Sequence, residues 1–515
     1  MKALLSATLL ICASCKCKPT ESKVDAGTAS TPRRGGTLTV RLPLEPTGLT
    51  RLHDRFAEGT MTRITVGPIY ETLDALTTKT TESDDHLTLT LQLKPGVKFH
   101  DGTEFTSADV KATFEVILDE KLPTSALRSS LDTVASVAAP DAQTVIITFK
   151  KYYFLATHTV LSAVPIMPAK ALSSGDFDTL PIHRAPIGTG PFKFEKWEPG
   201  VSLTYVRADD RAWLDKIVFR FVKDDAAALQ ALEKNEFDLY TRVSPAAFVS
   251  FANKPGYERI NFPENAYAWI GFDQRKPLFA DRDVRRALAM LYPDAAIDAA
   301  VDLGLEPRTT CPWMDGTPSC DATVKPIVFD LAAAKALLAK DGWKDSDGDG
   351  VLDREGVKFS FAFLIAAQSV KMNKLMPIYL DTLRQASIDA RIETVDISAY
   401  MSRVRAHDFD AMALSWSSPD TVQDNFANFH SSQAASGNDF VGYSNATVDT
   451  LLERIRSEAD PAARSALERQ AHKLIFEDQA YLFLGRRPSL DLVKRNVHGL
   501  QPSLRGYDFA KVWVE

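Results

Sequence analysis

Cysteine is scarce in this 515-residue chain, and three of its five (Cys12, Cys15 and Cys17) crowd the first seventeen positions. A disulfide-dense scaffold and a CxxC metal site are therefore excluded for the body of the chain, where only Cys311 and Cys320 remain. The nine histidines are scattered, which disfavours a histidine-rich centre of the nickel-recognition kind. HExxH and GxSxG are both missing, and with them the usual signatures of a zinc peptidase or a serine hydrolase. Beyond the leader no apolar run is long enough to cross a bilayer, and there is no internal repeat. Nor is there a run of Lys or Arg. With a formal net charge of −7, non-specific binding to nucleic acid or anionic lipid is disfavoured.

What is present begins at the leader. Met1-Lys2 is followed by a short apolar run from Ala3 to Ala13, and the small residues Ala13-Ser14 stand directly before Cys15. The pattern resembles a bacterial lipoprotein signal, although Cys12 occupies the position where Leu is usual. Residues 1–14 are expected to be a signal peptide and Cys15 a lipidated first residue, so that a lipid anchor holds the exported protein to a membrane. A plain secretory signal cleaved nearby is the alternative. Residues 15–35, rich in Lys, Ser, Thr, Pro and Gly, read as a flexible tether. Export would make a disulfide between Cys311 and Cys320 the expected state, with two buried free thiols as the alternative.

The composition, 45% hydrophobic and 25% charged, is globular, and the length suits two to four domains. Alternating apolar residues predict strands at Leu38, Val40 and Leu42, and at Leu87, Leu89, Leu91 and Leu93. Thr106, with Asp109 three residues on, predicts a capped helix start. Later segments alternate strand and helix, with helices starting near Asp330 and after Asp460. The class is mixed α/β.

One stretch between a helix and a strand, "GWKDSDGDGVLDREG" from Gly342 to Gly356, raises the question of a calcium ion. Asp345, Asp347, Asp349 and Asp353 fall at alternating positions, and Gly350 stands where a calcium loop bends. Gly356 occupies the place of the closing bidentate Glu. A turn in which Asp side chains bond their own backbone is the competing expectation.

Several segments together resemble the bacterial extracellular solute-binding proteins of family 5, the peptide-binding receptors of ABC importers. They are "LKPGVKFHDGTEFTSADVKATFE", "APIGTGPFKFEKWEPGVSLTYVR", "LDKIVFRFVKDDAAALQALEKNEFDL", "PLFADRDVRRALAML", the Asp-Gly stretch and "GYSNATVDTLLE". The resemblance implies a periplasmic-binding-protein type II-like fold, two mixed α/β lobes closing over a cleft with an extra inserted domain. Lobe I would combine residues 36–54, 173–273 and 481–515, the insert 55–172, and lobe II 274–480, with strands such as the one in "AYAWIGFDQ" crossing between lobes as hinges. In that setting "GTGP" at Gly188–Pro191 is a tight bend, not a phosphate loop, since no Lys-Ser/Thr follows.

The same resemblance implies ligand contacts from Glu45, Thr47 and Gly48 after the first strand. Tyr267, Trp269 and Trp416 are candidate cleft aromatics, ordinary core packing being the alternative for Tyr267 and Trp269. In peptide-binding relatives an acid shortly after a Trp anchors the ligand amine. Here Pro419 stands three residues after Trp416, and Asp420 is the first acid. The expected function is capture of a peptide and its delivery to the permease of an ABC importer by a monomeric receptor, without catalysis or a cofactor unless calcium binds the Asp-rich loop. The same fold binding a non-peptide solute and a calcium-dependent surface protein are the alternatives.

Overall fold

The alternation at Leu38, Val40 and Leu42 does form a strand, Thr37–Leu42, with all three side chains fully buried. In the computed structural model, which describes residues 31–54 and 64–515, this strand lies inside a seven-stranded sheet. The signal segment, Cys15 and most of the tether lie outside the described residues. From Arg33 onward the chain forms one compact unit.

Three sheets organise that unit. The first runs, edge to edge, Tyr257–Phe262, Ser489–Lys494, Leu239–Tyr240, Thr37–Leu42, Lys216–Phe221, Ser202–Arg207 and Phe192–Glu198. Thr37–Leu42 is parallel to both of its neighbours, and the outer pairs are antiparallel. The second is antiparallel and four-stranded, in the order Thr77–Glu82, Thr88–Leu93, Thr144–Phe149 and Val134–Asp141. Its Leu89, Leu91 and Leu93 are buried. Helix Ser107–Leu118 belongs to the same region, and its Val110, Phe114 and Ile117 join the same core. Asp109 accepts from Thr106 N at 2.8 Å, closing the predicted cap, while its other oxygen accepts from Ala169 N at 2.8 Å.

The third sheet has five strands in the order Asp389–Val395, Ser360–Ala366, Ala411–Ser418, Asn265–Phe272 and Leu482–Arg486. Its first three strands are parallel, and Asn265–Phe272 is antiparallel to both neighbours. Every residue of Asn265–Phe272 is buried, as a central strand covered on both faces requires. Two of these strands lie outside the 274–480 range expected of the second lobe: Asn265–Phe272 pairs with Ala411–Ser418 from that range, and Leu482–Arg486 pairs with Asn265–Phe272 at the sheet edge. Hydrogen bonding along the ladder, which sequence pattern does not encode, decides their membership.

"GTGP" is a place of close approach. A Cβ on Gly188 would stand 2.1 Å from the carbonyl oxygen of Ile69, and one on Gly190 would stand 2.5 Å from that of Pro68. Only glycine lets the two backbone segments pack this tightly.

Candidate functional site

The chain passes between the first and third sheets at two adjacent points. It leaves the first sheet at Phe262 and enters the third at Asn265, through Pro263-Glu264. It returns from Arg486 to Ser489 through Arg487-Pro488. The two passages lie side by side, because Phe262 pairs with Ser489 on one side and Tyr267 with Arg486 on the other. A proline in each lacks an N–H and has a fixed φ, so neither passage extends the ladder across the gap.

A cavity of about 60 Å³ opens beside these passages, which is room for about four to six waters. Arg242, Asp491 and Tyr507 line it from the first sheet's side, Asn265 and Ser418 from the third, and Glu264 stands on the passage itself. Arg242 has φ +58°, and this conformation turns its N–H onto Asp491 Oδ1 at 2.7 Å. Asp491 also accepts from Ser489 Oγ at 3.0 Å and from the Tyr507 hydroxyl. Burial pushes the Asp491 carboxyl up, and these donors only partly oppose it. The Arg242 guanidinium donates to Glu264 Oε1. Burial also pushes the Glu264 carboxyl up, against the pull of Arg242 and Arg487.

Asp420, expected in the site, is bonded to two residues of the cavity wall, Asn265 through its backbone oxygen at 2.7 Å and Arg505 through its carboxylate, so its charge is already met. Its Oδ1 accepts from Arg505 Nη2 at 2.7 Å and lies 3.2 Å from His158 Nε2. Arg505, on the hairpin of Pro502–Ser503 and Gly506–Tyr507, also donates to Ser162 O at 3.3 Å. His158 belongs to helix Ala156–Ser162. One carboxylate thus joins the end of the third sheet, a helix from the expected insert and the C-terminal hairpin. Burial raises its pKa, but the hydrogen bonds from His158 and Arg505 and the Arg505 charge outweigh that and hold it at about 2.

Tyr267 and Trp269 are core residues, 1% and 0% exposed. Trp269 stacks on Tyr481 at 3.8 Å between ring centroids, and Trp416 lies between Trp269 and Phe440 at 5.8 and 5.9 Å. Of the three only Trp416 is partly exposed. Glu45 is elsewhere: its two oxygens accept from Trp197 Nε1 at 2.7 Å and Gly200 N at 3.0 Å. With Thr47 and Arg184 it lines a separate groove beside the edge strand Phe192–Glu198, and Gly48 is buried. The reason is local. The Glu45 carboxylate finds two donors on the hairpin Phe192–Arg207 and fastens it, which the sequence did not reveal.

Cys311 and Cys320 form a disulfide. The buried Arg486, next to the return passage, braces the bridged loop. It donates to Cys311 O at 2.9 Å, to Trp313 O, to Asp315 Oδ2 at 2.9 Å and to Asn265 Oδ1 at 3.2 Å. Sequence reasoning missed Arg242, Glu264 and Arg486. The only local signal was Pro-Glu interrupting two strand patterns in "NFPENAY".

In the Asp-rich loop, carboxylate oxygens of Asp345, Asp347 and Asp353 lie within 4.8 Å of one another. Asp345 accepts from Gly348 N at 2.7 Å and Gly350 N at 2.9 Å, and Asp353 accepts from Ser346 N at 2.9 Å. Lys358 Nζ reaches Asp347 at 2.6 Å, Asp349 at 2.8 Å and Asp353 at 3.7 Å. An ammonium group from the following strand therefore stands among the carboxylates.

This architecture has relatives. Residues 72–438 match the family described as bacterial extracellular solute-binding proteins, family 5 Middle. The oligopeptide-binding protein AppA of Bacillus subtilis is 28% identical over 99% of this chain and 97% of its own length. Its structure in complex with a nonapeptide superposes with TM-score 0.80 at 27% identity, covering 94% of this chain and all of that one. NikA from Brucella suis, in complex with Fe(III)-EDTA, shares the fold at TM-score 0.83 and 22% identity, over 93% of this chain and 100% of its own. The fold is thus the type II-like binding-protein arrangement, two mixed α/β lobes around a cleft with an extra domain. The chain belongs to the bacterial extracellular solute-binding proteins, family 5.

Proposed function

We propose that this protein is a receptor, not an enzyme, which captures a peptide between its two lobes and delivers it to the permease subunits of an ABC importer. The observation that carries the reading is the pair of adjacent passages joining the two sheet-centred lobes beside a polar cavity. Two short connections permit the lobes to rotate about one line, and a ligand touching both lobes favours the closed arrangement. A cavity of about 60 Å³ is far below the few hundred Å³ a small-molecule site occupies, so uptake of a peptide requires the lobes to part. The whole-length likeness to the oligopeptide-binding protein AppA supports a peptide as the solute.

The division into lobe I, insert and lobe II then follows the sheets, with the boundaries at the passages 263–264 and 487–488. A second reading, a non-peptide solute, draws on Pro419 in the amine-anchor position and on the internal partners of Asp420. The test is small-angle scattering of the purified chain with a synthetic pool of short peptides, with bound species identified by native mass spectrometry. Retained peptides and a smaller radius of gyration are expected. Saturation without any change in radius would count against lobe closure, and retention of no peptide would favour the second reading.

Cys15 completes the proposal as the lipid-bearing residue of an envelope-anchored monomer. Expressed in a bacterial host, Cys15→Ala is expected to leave the membrane fraction. A variant that sediments with membranes like the wild type would remove the anchor from the reading.

A further inference from the structure

The two passages are not all that joins the halves of the molecule. The first and the four-stranded sheets share one hydrophobic core, and the third sheet has cores of its own. Two consecutive residues of the expected insert divide between them: Tyr153 packs against the first core and Phe154 against a core of the third sheet. Helix Ala156–Ser162, which follows, is rooted in the first core by Ala156 and Val160. Facing this segment stand Asp420 and Asp424, beyond the end of strand Ala411–Ser418, with Arg456 on helix Ala446–Ser457 and Arg464 on helix Pro461–Glu477.

The seam between the two sides is made of specific contacts. Phe154 N donates to Arg456 O at 3.2 Å, and the Tyr153 hydroxyl donates to Asp424 Oδ2 at 3.1 Å. The Arg464 guanidinium lies over the Phe154 ring at 4.7 Å. His158 and Arg505 both meet Asp420 beside them. Arg505 belongs to the first half as well, because Tyr507 of its hairpin packs against the first core.

From this geometry we infer that Tyr153, Phe154, His158 and Arg505 form a clasp between the lobes, which breaks when they part about the passages and re-forms when they close. The clasp sets how long a captured peptide stays. The inference rests on the receptor reading and deepens it. Each side of the seam is rooted in its own core, so a rotation about the passages pulls the two sides apart. The magnitudes suit a reversible device. A hydrogen bond exchanged for water shifts an equilibrium by roughly two- to tenfold. Pairs as open as Arg505 and His158, 41% and 45% exposed, add less. Together these contacts favour the closed arrangement and still let it open.

The competing account is a fixed joint, in which the segment from Tyr153 to Ser162 never leaves the third sheet's side. The double variant Tyr153→Phe/Arg505→Gln separates the two, since it removes one hydroxyl and one charge from the seam and leaves Phe154 and its packing untouched. Without peptide, its radius of gyration by small-angle scattering is expected to exceed that of the wild type. A peptide that the wild type retains from a synthetic pool of short peptides is expected to leave the variant at least about fivefold faster. A double variant with the wild-type radius and the wild-type release rate overturns the inference and leaves the receptor reading intact. A wild-type protein that retains no peptide overturns the peptide reading, and the comparison of radii without peptide then decides the clasp by itself. Should the double variant fail to melt cooperatively, Tyr153→Phe alone decides by the same measurements: a shift in the same direction supports the clasp, and wild-type behaviour removes it.

Discussion

The Asp-rich loop and Asp420 both set carboxylates against cations of the same chain, but over very different stretches of sequence. In the loop, Lys358 lies 11 residues from Asp347, and the pairing is part of a turn between helix and strand. At Asp420, Arg505 lies 85 residues away, and His158 comes from a different region altogether. The loop is open to solvent, Asp347 and Asp349 being 57% and 50% exposed, whereas the Asp420 side chain is 25% exposed. Exposed pairs are screened and contribute little, while half-buried ones are screened less. The loop's pairs are thus local to one turn, and those of Asp420 join separate regions of the molecule.

The larger effect is expected at Asp420. Its carboxyl is held at about 2 against an ordinary 3.8, so Asp420→Asn should cost about 2 kcal/mol of stability at neutral pH. The sign follows from the depressed value: the contribution is complete above pH about 4 and is lost as pH falls through about 2. Denaturation midpoints of both proteins at pH 7 should differ, and the difference should close on acidification. Equal midpoints at pH 7 would erase the contrast between the two places.

The smaller effect is expected in the loop. Lys358→Met leaves three carboxylates facing one another without the ammonium, and the melting temperature should fall, though by less than for Asp420→Asn. Millimolar calcium should restore it, and the wild type should melt alike in calcium and in chelator. A wild-type melting temperature that rises with calcium would make the loop an ion site in its own right.

Much of the fold was legible because alternation and caps are local. Leu38, Val40 and Leu42, the Thr106–Asp109 cap and the helix starts at Asp330 and Asp460 all took their expected places. The passages were legible only in part: a crossing strand was expected at "AYAWIGFDQ", but ladder pairing places that strand wholly in the third sheet and the crossing just before it, at Pro263-Glu264. The site was less legible still. Asp420 was identified as an acid near the cleft, but its partners arrive through tertiary structure. Glu45 was expected at the ligand and instead finds Trp197, 152 residues on. Glu264 and Arg242 carry no motif at all, since their meaning comes from lying where two sheets meet.

The place of Ser489–Lys494 inside the first sheet has a consequence for how the protein is made. This strand fills the gap between Leu239–Tyr240 and Tyr257–Phe262. Its partner residue Phe262 emerges long before Ser489, and synthesis at about 5–20 residues per second puts the delay at roughly 10–45 s. Throughout that interval the growing chain would display two unpaired strand edges, each a template for pairing with another molecule. Completion of this sheet waits for Ser489–Lys494, so its open edges have to be kept from pairing with other molecules until that strand arrives. Under the proposed export, a polypeptide threaded unfolded across a membrane would meet that requirement, because its sheet would assemble on the far side.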